Sequence, residues 1–168
     1  MTTSLERAND MPGINVWVAP VEQGIIDYGL DQKLIRREVE KRLVSAGLLV
    51  IQQFGGDQAP KFPCLGVMLH FFQLQDEPYL YIFSIEMCFI QRITLTGPPA
   101  TEAMRMAWCR EATGEITRNG QDLDWANLYH SLGFLVDSFI FEWSAARRNP
   151  SPLPILETYQ APKNSTYP

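Results

Sequence analysis

Tyr79-Leu80-Tyr81-Ile82-Phe83-Ser84-Ile85-Glu86-Met87-Cys88-Phe89-Ile90-Gln91-Arg92-Ile93-Thr94-Leu95 has the clearest two-residue period in the chain. Tyr79, Tyr81, Phe83, Ile85, Met87, Phe89, Ile93 and Leu95 share one parity. Ser84, Glu86, Arg92 and Thr94 hold the other, together with Leu80, Ile82, Cys88 and Ile90. Alternation of this kind makes a β-strand with one strongly apolar face. Strands usually run three to ten residues, so a stretch of about seventeen must bend or bulge.

The neighbouring segments extend this strand into a meander. Gln75-Asp76-Glu77-Pro78 is a polar connection short enough for an antiparallel hairpin. Before it, Leu65, Val67, Leu69 and Phe71 line one face of another strand. Met68, Phe72 and Leu74 line its second face, which predicts cover on both sides. After the long strand, Thr96-Gly97-Pro98-Pro99 supplies turn chemistry. Met104, Met106 and Trp108 then alternate with Arg105 and Ala107 in a further strand, ending near Gly114 or running weakly to Ile116.

Helices flank the meander. Ile14, Val16 and Val18 form a short strand that Pro20 closes. Leu30, Leu34, Ile35, Val39, Leu43 and Ala46 recur at helical spacing, which predicts a helix over 31–46. Asp31 stands at its start and Gly47 supplies a left-handed stop. Leu48-Leu49-Val50-Ile51 then reads as a second strand. Gly55-Gly56, Pro60 and Pro63 mark a surface loop. Asn119-Gly120 is a loop and Asp122 or Asp124 an N-cap. A final helix over 125–147 stops at Asn149-Pro150.

The order strand, helix, strand, meander, helix predicts an α+β domain: a mostly antiparallel twisted sheet of about five strands with two helices packed on one face. Residues 13–149 form this domain. Residues 1–12 read as a flexible polar arm. Residues 150–168, with Pro150, Pro152, Pro154, Pro162 and Pro168, read as a proline-rich extended tail.

Composition narrows the function. The 168 residues carry a formal charge of −5 and are 46% hydrophobic, a composition suited to a globular chain and not to a disordered one. A sequence pI near 5.0 and no basic cluster longer than Arg147-Arg148 disfavour nucleic acid as a partner. No run approaches the ~20 apolar residues that span a bilayer, and the start lacks the pattern of a signal peptide. A cytoplasmic protein is therefore expected, or an exported one if a leader was removed. Cys64, Cys88 and Cys109 are odd in number, widely spaced and set in apolar runs, and read as core thiols of a reducing compartment. No metal or other cofactor is expected.

Three side chains invite a catalytic reading: Glu86, Asp137 and His130. Simpler readings outweigh it. Glu86 fits a cross-strand partner for Arg92 or Arg105. Asp137 fits a helix-flank acid bonded to the sheet, and His130 a half-exposed flank residue.

Val39-Glu40-Lys41-Arg42-Leu43-Val44-Ser45-Ala46-Gly47-Leu48, the paired strands from Tyr79-Leu80-Tyr81 to Gln91, Ala107-Trp108, and Leu135-Val136-Asp137-Ser138-Phe139-Ile140 to Asn149-Pro150 occur in a telling order. Over about residues 14–150 the chain resembles an uncharacterised family of small bacterial proteins. That family has an E-x-x-L-R-x-A-G-I helix end, a Thr-Trp strand and a V-D-x-F-I…N-P final helix. The resemblance implies a fold and no assigned activity, and many members of the family are exported. Here Ala107 stands where the family has Thr, and no export signal is present.

The final helix is the most informative stretch. Trp125, Leu128, Tyr129, Leu132, Val136, Phe139, Ile140 and Trp143 share one stripe at 100° per residue, and Phe134 and Phe141 fall almost opposite. Such a pair, with Leu153, Ile155, Leu156 and Tyr159 of the tail, predicts interface residues. The expectation is a non-catalytic accessory or assembly subunit that packs into a larger bacterial protein complex, or associates with itself, through the final helix and both arms. The alternative is a binding module for a small apolar ligand held between the sheet and the final helix.

Overall fold

The computed structural model describes residues 13–51, 63–95, 98–99 and 101–148. The arm at 1–12, the Gly55-Gly56 loop and the tail at 150–168 lie outside these residues. The elements in chain order are β1 (Ile14–Val18), α1 (Gln23–Ile26), α2 (Gln32–Ser45), β2 (Val50–Ile51), β3 (Cys64–Gln73), β4 (Leu80–Leu95), β5 (Thr101–Asn119), β6 (Asp122–Leu123) and α3 (Ala126–Arg148).

The class is α+β, as expected. One sheet runs β2-β1-β3-β4-β5-β6. β3, β4, β5 and β6 pair antiparallel, while β1 is parallel to both β2 and β3. The β1–α2–β2 segment is a crossover, which is how a chain returns to pair in parallel. Strand β6 and helical turn α1 were not predicted. With two and four residues, they are too short to display a hydrophobic period.

Capping explains the limits of α2. The Asp31 carboxylate accepts the Lys33 N–H at 2.9 Å. At the other end Gly47 takes φ 81°, while Gly47 N–H donates to Val44 and Leu48 N–H to Leu43. This pair of bonds is a Schellman stop, and it satisfies carbonyls that the helix leaves free. At α3 the Asp124 carboxylate accepts the Ala126 N–H at 3.0 Å.

Tyr81, Phe83, Ile85, Met87 and Phe89 of β4 point under the helices, with Leu65, Val67, Leu69 and Phe71 of β3 beside them. Leu128, Leu132, Leu135, Val136 and Phe139 of α3 and Ile35, Val39 and Leu43 of α2 close the layer. Each such side chain contributes about 1.5–3 kcal/mol by leaving water. Phe139 packs its ring 5.4 Å from that of Phe89 and 5.3 Å from that of Trp108.

Two expectations about side-chain phase are corrected. The long strand does contain an irregularity, between Phe89 and Ile90. Phe89 faces Trp108 while Ile90 faces Met106, so Ala107 is the extra residue on β5. Trp108 therefore turns to α3, whereas Met104 and Met106 turn to the opposite face and are exposed. The three do not share a face. β5 also runs on to Asn119, past the end expected near Gly114 or Ile116. The second face of β3 is only partly covered: Cys64 and Gly66 are buried and Met68 is half-buried, but Phe72 is 60% exposed and Leu74 is also exposed. All three helices lie on the other side.

Candidate functional site

α3 carries two faces. Of its inward stripe, Leu128, Leu132, Val136 and Phe139 are buried and Trp125, Tyr129, Ile140 and Trp143 partly buried, while Phe134 and Phe141, one heptad apart, are 65% and 70% exposed. Seven residues of helix advance about 10.5 Å and rotate only 20° short of two full turns, so the two rings stand in one line along the helix.

Beside that line lies a groove of about 620 Å³ between α2 and α3, with Lys41, Arg42, Ser45, Phe141, Ser144 and Arg148 among its lining residues. Arg42 organises it. Its Nε donates to Glu38 at 2.9 Å, and its Nη1 donates to the two Asp137 oxygens at 3.3 and 3.2 Å. The Glu38 hydrogen bond, with a smaller contribution from Asp137, pushes the already high Arg42 pKa up. The guanidinium is a fixed positive charge at any working pH. It lies against α3 because Gly133 has no side chain: a Cβ there would sit 2.6 Å from Nη2. A glycine inside a helix costs about 1 kcal/mol relative to alanine, and Gly133 in the middle of α3 is the one feature of the sequence that could have pointed to a close approach here. Leu34, one turn before Glu38, extends the apolar character of this side and is exposed.

The remaining candidates scatter. Asp137 is bonded to Arg42 of α2 and not to the sheet. Arg92 pairs with Glu102 at 3.8 Å, so it is not the partner of Glu86; Glu86 faces Glu111 across the β4–β5 ladder. His130 is exposed on α3. Glu86 alternates with the buried Phe83, Ile85 and Met87, which puts it on the open face of the sheet, away from Asp137 and His130. The three groups do not form one site. Leu153, Ile155, Leu156 and Tyr159 lie outside the described residues.

The cysteine reading is corrected as well. Cys64 is a free, buried thiol, but Cys88 and Cys109 stand directly opposite each other, with Cα atoms 4.1 Å apart and sulfurs bonded. Their separation of 21 residues gave no spacing motif. Only the β4–β5 register brings them together.

No family model matches the chain. No curated protein matches it by sequence either. Among solved structures, the rare lipoprotein B from Shewanella oneidensis is similar at 15% identity, covering 80% of this chain and 95% of that chain with a TM-score of 0.35.

The outer edge of β5 completes the surface. β6 pairs only with Arg118 and Asn119, and Asp124 N–H and the Asn127 amide bond the Thr117 and Glu115 carbonyls. Before Glu115 no strand pairs with that edge among the described residues. Glu102, Arg105, Arg110 and Glu111 lie along this stretch, charges of the kind that keep an open edge from pairing at random.

Proposed function

We propose that the chain is a non-catalytic accessory or assembly subunit that packs into a larger bacterial protein complex, or onto a second copy of itself, through the outer face of α3. The observation that carries the reading is the exposed, aligned pair Phe134 and Phe141 beside the α2–α3 groove. Aromatic side chains with this much exposed area are the usual anchors of protein interfaces. A helix of the partner laid along α3 would meet both rings at successive heptads, with the Glu38–Arg42–Asp137 cluster as a polar rim. The β5 edge before Glu115, unpaired among the described residues, offers a second contact surface.

The apolar-ligand alternative has less support. The space between sheet and α3 is filled by Phe83, Phe89, Leu128, Leu132 and Phe139, each at most 2% exposed. The Cys88–Cys109 disulfide fits an oxidising compartment, and so the exported placement more than the cytoplasmic one. No described helix is long and apolar enough to cross a membrane.

The test is Phe134→Ser with Phe141→Ser, followed by light scattering and by recovery of partners from the native source. The expected outcome is loss of self-association or of the partner, with a stability change below ~0.5 kcal/mol per exposed site. An intact complex would overturn the reading, as would a variant that unfolds.

A further inference from the structure

The open face of the sheet carries a different chemistry from the helical face. Glu86 and Cys88 are two residues apart on β4, and so point the same way; Cys109 is the direct cross-strand neighbour of Cys88. Glu86 Oε1 lies 3.3 Å from Cys88 Sγ and 3.6 Å from Cys109 Sγ. One carboxylate oxygen and two sulfurs thus fall within 4.8 Å of one another. Tetrahedral zinc with sulfur at ~2.3 Å and oxygen at ~2.1 Å has ligand-to-ligand edges of roughly 3.6–3.8 Å. The two oxygen-to-sulfur edges are near that size already.

A second feature points to a cation. Glu86 is directly opposite Glu111, a like-charge cross-strand pair, which is unfavourable on a sheet unless something positive offsets it. Ser84 donates to Glu111 at 2.7 Å and holds that carboxylate, leaving Glu86 as the oxygen donor at the sulfurs. Glu86 and Cys109 are half-buried and Cys88 is buried, so an ion would reach the Cys88 sulfur past the Glu86 carboxylate and the Cys109 sulfur.

We infer that Glu86, Cys88 and Cys109 form a redox-gated site for a thiophilic divalent cation such as Zn²⁺. In the disulfide form the sulfurs are bonded to each other and the site is closed. A dithiol reductant transfers two electrons and two protons: the Cys88–Cys109 bond breaks, two thiols form, and the reductant becomes a disulfide. The cation then takes both sulfurs as thiolates and one Glu86 oxygen, with release of two protons, and a water fills the fourth position. Cys64 takes no part. Burial pushes its thiol up to about 11, so it stays protonated.

The test uses the full chain and Co²⁺ as a spectroscopic probe. Protein reduced under anaerobic conditions should bind one Co²⁺, with thiolate-to-metal charge transfer in the near ultraviolet, and Zn²⁺ should displace it. The oxidised protein should give no such band. Glu86→Gln, which is isosteric, should weaken binding at least about tenfold; Cys88→Ser or Cys109→Ser should abolish the band, and Cys64→Ala should leave it unchanged. The inference is overturned if the reduced protein shows no band, if the oxidised protein binds equally, or if Cys64→Ala is the variant that loses it. Where a cysteine variant does not fold, the comparison of reduced and oxidised wild type decides.

Discussion

The Arg42 guanidinium lies where the side chain of residue 133 would be, and Gly133 is what admits it. This contact joins α2 to α3 through Glu38 and Asp137. Gly133→Ala should be nearly neutral for stability, because two effects oppose. Alanine is better in a helix by up to about 1 kcal/mol, whereas displacing the exposed end of Arg42 forfeits a surface ion pair of about 0–1 kcal/mol. A double-mutant cycle separates them. Asp137→Ala should cost up to ~1 kcal/mol in the native background and close to nothing in Gly133→Ala. An unchanged cost would show that the guanidinium never left.

Leu43 is fully buried in the last turn of α2, and Val44, the next residue, is 59% exposed. Leu43→Ala should cost about 2–5 kcal/mol as a cavity in the helix–sheet contact. Val44→Ala should cost less than ~0.5 kcal/mol. Denaturant midpoints at constant slope measure both.

What was legible follows physical rules that act locally. α2 could be read because Asp31 and Gly47 act on their own neighbours and because Ile35, Val39 and Leu43 keep a helical period. The α3 stripe could be read for the same reason, down to the exposure of Phe134 and Phe141. What escaped depends on register. The long strand announced an irregularity by its length, but one extra residue, Ala107, sits on the partner strand and reverses Met104 and Met106 relative to Trp108. No propensity marks such a position. The pairing of Cys88 with Cys109, and the approach of Glu86 to both, follow from that same register and have no signature in either strand alone. Arg42 on Gly133 is a tertiary contact between helices far apart in sequence.

The cysteines give a count that can be checked directly. With no reductant, the denatured chain should titrate one thiol, Cys64, and the native chain none. Three thiols in the denatured chain would show that Cys88 and Cys109 are unpaired. The Cys64 thiol has its folded pKa raised from 9.0 to about 11 by burial. A raised pKa means that the folded state resists ionisation, so its contribution is fully present below pH 9 and is lost as pH rises toward 11. The loss is on the order of 2–3 kcal/mol. The stability gap between wild type and Cys64→Ala should therefore narrow over that interval and be constant below it.

Gly114 presents the same steric distance as Gly133 with the opposite consequence. A Cβ on Gly114 would stand 2.6 Å from Phe83 Cζ and 3.1 Å from the Asn127 amide nitrogen. Arg42 can yield because its charged end reaches solvent. Phe83 cannot, because its ring is fully buried and enclosed by the core. Asn127 is itself held, donating to the Glu115 carbonyl at 2.9 Å. Backbone conformation is no obstacle, since Gly114 does not have the positive φ found at Gly13, Gly29, Gly47 and Gly120. Gly114→Ala should thus cost about 1–3 kcal/mol from overpacking alone, even though alanine is entropically favoured in the unfolded comparison. Phe83→Leu should recover part of that loss, because a smaller side chain vacates the position of Cζ. If Gly114→Ala were neutral by itself, β5 would have to shift away from β4 freely, and the long ladder that sets Cys88 against Cys109 would be looser than its register implies.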